Sequence, residues 1–398
     1  MKIFLFNPAW LKKVVAAFLA LIVAAAVWLP CLHLFFRKPL SDFYQINGLS
    51  PKAKELAARH LQLWTEPALR AVELKKMRAS NAEWDFMGRT FLVWSLANIG
   101  LRNPQLKSQY LPVMDEIIQE TIQIEKELGM YVFLMPYAKE RPFRVKPERS
   151  CFLDGEIALM MGARRLLEEK PEYKQPMTER LNLIEQRMRS NPLMAMESYP
   201  NECWTYDHTV SLVAFKLADR LDGTDHSALC KDWIVMAKQN LVDKKTGLLW
   251  SAYTVDGAAL YGPEGSSIWM VAHCLQAVDP AFARDQYECA RKELGRITLG
   301  FGYGLEWPAN WQGPVDVDSG MVVPGLGVSA GSSGMAFVAA ASFQDWDFLR
   351  ALSATLDMAA FPSRESGRLK YCASNQVGDA AILYASVLGP LWERICKL

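Results

Sequence analysis

The sequence predicts an all-α protein, an (α/α)6 toroid of six helical hairpins preceded by one N-terminal transmembrane helix. Three observations predict it. From Leu49 onward helical periodicity is common and strand-like alternation scarce. Every second helix is apolar on all sides, whereas its neighbour carries one charged face. One long charge-free apolar run precedes them all.

That run, Val14 to Phe36, reads VVAAFLALIVAAAVWLPCLHLFF and holds no Asp, Glu, Lys or Arg. A helix of about 20 such residues spans the hydrocarbon core of a bilayer. The expectation is an uncleaved signal anchor over 14–36, after a short segment 1–13 and before a linker 37–50, with the barrel over 51–398. A cleaved secretory signal has a shorter apolar region and a small-x-small site. Ala24-Ala25-Ala26 offers small residues, but the run continues to Phe36. Lys2, Lys12, Lys13 and the α-amino group precede the run, and Arg37 and Lys38 follow it. The positive-inside tendency then keeps the N-terminus in the cytoplasm and puts the barrel outside it.

Helices are expected at 51–77, 82–101, 105–128, 152–168, 175–190, 204–221, 226–241, 265–278, 280–297, 325–343, 345–359 and 375–391. Ser50-Pro51 and Asp279-Pro280 set a cap before an N1 proline, and Ser80 precedes Glu83 in capping-box spacing. Gly129 and Gly223 are stop signals. The breaks 129–150, 242–264 and 298–324 are rich in Gly, Pro and aromatics, a size and content typical of functional loops.

The alternate helices FLVWSLANIG, IALMMGA, SLVAFKLA, SIWMVAHCL, GMAFVAAASF and AAILYASVL lack a polar face and belong inside. All six run the same way, so their amino ends meet at one mouth. That placement gathers Asp85, Asp154, Glu156, Asp207, Glu264, Asp316, Asp318 and Asp379 around one cavity. For any single one of these acids, capping or the helix dipole explains its position. The convergence of six helix openings on one aromatic-lined hollow is what marks a candidate site.

Composition narrows the function classes. With 51% apolar residues and a net charge of +1, the chain is neither disordered nor low-complexity. The balance of 44 basic against 43 acidic residues gives no case for nucleic acid. The seven cysteines after Cys31, without C-x-x-C or a short Cys/His cluster, read as mostly buried thiols, with no zinc site and no disulfide framework. Partners expected are a small-molecule or lipid-like substrate and, through the first helix, a membrane; the oligomeric state stays open.

The segments SNPLMAMESYPN, LVAFKLADRLDGTD, LVDKKTGLLWSAY and VDPAFARDQYECARKEL, within 190–299, resemble the bacterial linalool dehydratase/isomerase family. Weaker similarity runs from Met87 to Ser386 and includes FLVWSLANIGLRNPQLK, GEIALMMGARRL and DVDSG. The resemblance implies an (α/α)6 barrel that hydrates a terpene diene and isomerises allylic alcohols without metal or organic cofactor. For the barrel outside the cytoplasm, a bacterial source implies the inner membrane and periplasm. The family histidine falls at Glu156, its first cysteine at Ser198 and its second at Asp207. Glu66 is the nearest acid to the family aspartate. Carboxylates and a hydroxyl thus replace imidazole and thiols, and Cys203 matches no catalytic position.

The candidate chemistry follows from paired carboxylates, which divide acid and base roles when their surroundings separate their pKa values. Glu156 and Asp207, opening adjacent inner helices, form the first pair, with Asp154 and Asp318 as second partners. Trp84, Tyr199, Trp204, Tyr206, Trp307 and Trp311 would line the cavity and steady cationic character through their ring faces. In DVDSG, one aspartate of Asp316 and Asp318 could hold the other as a proton donor, but an Asx turn followed by a helix cap is the better explanation of the segment. GLGVSAGSSG lacks the lysine of a phosphate loop. His273 reads as a satisfied core residue, and His208 points away from Asp207. Three functions compete: a membrane-anchored lyase or isomerase of allylic or terpenoid alcohols, a glycoside hydrolase or polysaccharide lyase, and a non-catalytic tethered binding protein. An enclosed apolar pocket favours the first, an open groove with spaced carboxylates the second.

Overall fold

The computed structural model, which describes residues 8–315 and 319–396, is an N-terminal helix followed by an (α/α)6 barrel. Helix α1 is Pro8–Cys31. With the helical turn after it, it contains a span, Ala9–Phe35, of 27 residues and mean hydropathy 2.6, long and apolar enough to cross a membrane and not buried against the rest of the chain. The chain then meets the barrel flank, where the His33 and Phe36 rings each lie 6.2 Å from the Phe301 ring.

Beyond it helices alternate between an outer and an inner ring. Outer α2 (Pro51–Thr65) and α3 (Pro67–Ser80) precede inner α4 (Ala82–Arg102), outer α5 (Lys107–Leu128), inner α6 (Cys151–Leu167) and outer α7 (Lys174–Ser190). Inner α8 (Thr205–Asp222), outer α9 (Ser227–Asn240), inner α10 (Gly265–Leu275) and outer α11 (Pro280–Glu293) follow. Inner α12 (Ala330–Ser342), outer α13 (Trp346–Ala359), inner α14 (Gln376–Val387) and a short α15 (Pro390–Cys396) complete the chain. Each inner helix packs on the next, and α14 returns to α4, which closes the ring.

The apolar pattern is the cause. Every residue of FLVWSLANIG in α4 is buried, and each large side chain so removed from water contributes about 1.5–3 kcal/mol. Outer α13 buries Phe348, Leu349 and Leu352 and turns Asp347 and Arg350 outward as an ion pair. At the carboxyl end of the barrel, Trp392 of α15 stacks on His273 (4.3 Å) and lies 6.2 Å from Trp94. His273 bonds Ser342 Oγ (2.7 Å) and Tyr384 Oη (2.9 Å), the satisfied core histidine the sequence reading expects.

Several boundaries depart from expectation for local reasons. Residues 51–77 break in two because Pro67 pushes Glu66 into extended backbone. Asn81, not Ser80, caps α4, accepting from Glu83 N (2.9 Å). The helix expected from 325 starts at Ala330, since Gly325 and Gly327 take positive φ. Helix 375–391 ends at Val387, and α15 begins after Gly389 (φ 128°). Short strands occupy the breaks: β1 (Cys203–Trp204), β2 (Ala252–Tyr253), β3 (Ala259–Tyr261), β4 (Gly295–Thr298), β5 (Phe301–Leu305), β6 (Val328–Ser329), β7 (Pro362–Glu365) and β8 (Arg368–Tyr371). They form antiparallel sheets β1-β2-β3, β4-β5-β6 and β7-β8. Leu299-Gly300 and Ser366-Gly367 both take positive φ, the backbone that two-residue hairpins need. All eight cysteines are free; of the seven after Cys31, Cys151, Cys203, Cys230 and Cys274 are buried, in line with a mostly buried set, while Cys289 is half-buried and Cys372 and Cys396 are exposed.

Candidate active site at the amino-terminal mouth

A cavity of about 450 Å³ occupies the amino-terminal end of the inner ring. Trp84, Phe152, Asp207, Ser266, Gly331 and Val377 line it, one from the first turn of each inner helix. The shared mouth expected from helix direction is therefore present. Its walls are mainly aromatic, methionine, alanine and glycine side chains, with polar groups from Asp207, Glu83, Ser266 and Ser267 among them.

Close backbone approach makes this geometry. A Cβ on Gly265 would lie 2.4 Å from the Leu305 carbonyl oxygen and 2.7 Å from Ser332 Cβ. Only glycine lets α10 begin there, with its first N–H donating to Glu306 O (2.7 Å). Gly265→Ala is expected to cost about 1–3 kcal/mol by overpacking; a thermal melt unchanged from the parent would contradict it.

The acids at the helix openings do not cap. The described inner helices with side-chain caps use Asn81, Ser329 and Asn375. Instead the acids divide by partner. Asp85 is fully buried but held by Arg78 (Nε, 2.8 Å) and Arg89 (Nε, 3.0 Å). Asp154, also fully buried, is held by Arg149 (Nε, 2.9 Å) and by Arg180 (2.5 Å), which also pairs with Glu125. Neither lines the cavity. Both expectations are corrected: arginines from the surrounding elements claim these carboxylates.

Glu156 and Asp207 lack such partners. Burial pushes the Glu156 carboxyl up to about 8, and the nearby Asp207 charge adds to the rise. The Tyr206 hydroxyl bonds Glu156 Oε1 at 3.0 Å, while Oε2 has no partner. Burial pushes Asp207 up to about 7. The Ser198 hydroxyl beside it offsets part of this, although its Oγ falls short of hydrogen-bond geometry. Tyr206 and Asp207 line the cavity, and Glu156 lies behind Tyr206. So Glu156, Ser198 and Asp207 come together here as two buried carboxyls and a hydroxyl.

The remaining expected residues sort by place. Trp84, Tyr199 and Trp204 line the cavity; the Tyr199 hydroxyl bonds Glu83, and Trp204 stacks on Tyr261 at 5.6 Å. Trp307 and Trp311 do not line it. Trp311 covers Gly262 and Gly313 and donates to Pro314 O (3.0 Å), so its ring is spent on its own loop. Glu264 precedes α10 and is buried outside the lining; Ser266 and Ser267 face the cavity in its place. Asp379 opens a neighbouring pocket rather than this one. Asp316 and Asp318 lie outside the described residues. Glu66 is exposed on the outer ring and accepts from Gln62, too far out to serve as the family aspartate. His208 is buried, with Nδ1 toward Trp204 O (2.7 Å) and Nε2 accepting from Met196 N (3.0 Å), which keeps it neutral and structural.

Sequence reasoning missed Glu83 and Glu306. Glu83 reads as a capping partner, but Asn81 takes the cap, and Glu83 lines the cavity and accepts from the Tyr199 hydroxyl. Glu306 is buried behind Ser266 and accepts from its Oγ (2.5 Å). Its loop has no periodicity that could have signalled this. Among the described residues no group of three His, Cys, Asp or Glu side chains is disposed to hold a metal ion.

Solved structures with a related outline are distant. A GH76 alpha-mannanase from Bacteroides thetaiotaomicron has TM-score 0.49 and 12% identity over 78% of this chain and 86% of that one. An inactive alpha-1,6-mannanase variant from Salegentibacter sp., in complex with alpha-1,6-mannotetrose, has TM-score 0.49 and 13% identity over 77% and 89%. A family 105 glycoside hydrolase from C. acetobutylicum has TM-score 0.47 and 13% identity over 84% and 99%. Similarity this low carries no activity across. The linalool dehydratase/isomerase family model, by contrast, matches residues 164–377, more than half the chain and including Ser198 and Asp207. A sequence match of that extent, on a closed ring of six inner helices, makes this chain a member of the linalool dehydratase/isomerase family.

Proposed function

We propose that the protein is a membrane-anchored lyase or isomerase that acts on an allylic or terpenoid-type alcohol by acid–base chemistry alone. The observation that carries this reading is the pair of buried carboxyls without a cation partner, Asp207 in the wall of a mainly apolar cavity and Glu156 behind it, with Tyr206 between Glu156 and the hollow. Such a cavity takes a hydrocarbon skeleton and offers few polar groups to anything larger than one hydroxyl.

The two carboxyls divide the work. Burial raises both, and the Asp207 charge raises Glu156 further, so we assign Glu156 as the acid and Asp207 as the base. The Tyr206 hydroxyl, which donates to Glu156 Oε1 in the resting site, turns to the substrate hydroxyl and gives it its proton as the protonated Glu156 carboxyl donates its own to the tyrosine oxygen. The C–O bond breaks, water leaves with the electron pair, and an allylic cation remains. The rings of Trp84 and Trp204 stabilise it. Asp207 then takes a proton from the adjacent carbon, and the C–H electrons form the diene. For isomerisation, water adds at the other end of the cation and gives its proton to Asp207. The exposed apolar helix would hold the barrel at a bilayer, where such alcohols partition.

The test is incubation of the full chain, in detergent micelles, with linalool, geraniol and longer isoprenoid alcohols, followed by product analysis. Turnover of none by folded protein overturns the reading. A bell-shaped pH profile of kcat/KM is expected, rising through about 7 as Asp207 ionises and falling through about 8 as Glu156 loses the proton it donates. A profile flat from pH 6 to 9 would assign the chemistry elsewhere.

A further inference from the structure

A second pocket of about 370 Å³ adjoins the mouth cavity. Trp84, Ser374 and Asn375 line both, so the two hollows share a wall at these residues. The character of the two differs. The second is built from α2, α3, strand β8 and the start of α14, and it concentrates polar groups. His60, Tyr371 and Asp379 line it and are 4%, 2% and 6% exposed. His60 Nε2, Tyr371 Oη, Asp379 Oδ1 and Gln376 Oε1 have no hydrogen-bond partner in the chain. Buried polar atoms in folded proteins are normally satisfied, and a cluster of exceptions in one hollow is a feature that a ligand would explain.

Charge selects the ligand class. Arg59 is tied to Glu73, and Glu73 also accepts from Gln376 Nε2 (2.6 Å). Lys76 and Lys370 lie exposed at the rim. Arg59 leaves its Nη1 without a partner, one further donor in the pocket, but its charge is offset by Glu73, and the Asp379 carboxyl in the same lining works against a phosphate or carboxylate. Burial pushes Asp379 up to about 7 and His60 down to about 4, which turns both toward their uncharged forms. Neutral donors and acceptors suit a neutral oxygen.

We infer that this pocket is a second subsite, in which His60, Tyr371 and Asp379 bind an uncharged hydroxyl or carbonyl at the far end of the substrate whose reacting carbon lies against Asp207. The substrate is then an elongated molecule with an oxygen function at each end and an apolar middle passing Trp84. This deepens the lyase/isomerase reading and rests on it for the orientation of the ligand.

Linalool and 8-hydroxylinalool, which adds a hydroxyl at the far end, are the probes. Binding is measured by equilibrium dialysis on the full chain carrying Asp207→Asn, so that conversion does not interfere. The diol is expected to bind roughly tenfold tighter than linalool, the scale of one or two satisfied buried hydrogen bonds. Tyr371→Phe, which removes a single hydroxyl, and Asp379→Asn are each expected to reduce that preference below about twofold. Tyr371→Phe keeps the test open should Asp379→Asn fail to fold. Equal affinity for the two probes, or a preference untouched by Tyr371→Phe, overturns the subsite. Turnover of linalool by the unsubstituted protein is scored separately. Turnover without a diol preference overturns the subsite alone. A diol preference lost in Tyr371→Phe, with no alcohol turned over, supports the subsite and overturns the lyase/isomerase reading. Binding of neither probe overturns both.

Discussion

Replacing Glu156 with glutamine is expected to lower kcat for an allylic alcohol by roughly 10²–10⁴-fold, the contribution of one positioned proton donor. Asp207→Asn is expected to do the same for the base. The amides keep size and shape, and neither carboxyl is held by a cation in the folded barrel. Melting temperatures of both variants should therefore stay close to the parent's. The pH limbs separate the two roles. Residual activity of Glu156→Gln loses the fall above pH about 8, and that of Asp207→Asn loses the rise near pH about 7. Because Glu156 acts through Tyr206, Tyr206→Phe should reproduce the Glu156→Gln defect. Full activity in all three would assign the chemistry to residues other than Glu156, Tyr206 and Asp207.

Asp154→Ala is expected to act on stability instead. Its carboxylate is fully buried between Arg149 and Arg180, with Glu125 as the neighbouring acid. Removing it leaves Arg180, whose side chain is 12% exposed, one carboxylate short. Breaking a buried pair in this way costs about 3–5 kcal/mol. A thermal melt of the detergent-solubilised chain should show a large fall, while the protein that remains folded keeps its kcat. A thousandfold loss of kcat in folded Asp154→Ala would instead return this residue to the catalytic set.

The contrast between Asp154 and Asp207 shows why one half of the site was legible and the other was not. Both sit in the first turn of an inner helix, and the local sequence treats them alike. Helix direction, which places all first turns at one mouth, is enough to predict the cavity. Partner choice is not, because Arg180 comes from an outer helix and Arg149 from the loop before α6. The same holds for Asp85, claimed by Arg78 of α3, and for Glu83, which accepts from the Tyr199 hydroxyl. Trp307 and Trp311 were expected in the cavity because their loop is aromatic, but a loop's fold is set by its glycines and turns rather than by any period.

By itself the sequence determined the helical class, the alternation of buried and amphipathic helices, the ring's common mouth and the apolar helix ahead of it. These follow from periodicity and from the direction of the chain, which are local and repeat along the sequence. Only the tertiary structure decided which acids remain unpaired, that Glu156 reaches the cavity through Tyr206, and that a polar pocket adjoins an apolar one. Those are contacts between residues tens to hundreds of positions apart, fixed by close backbone approach at points such as Gly265, and no short-range pattern encodes them.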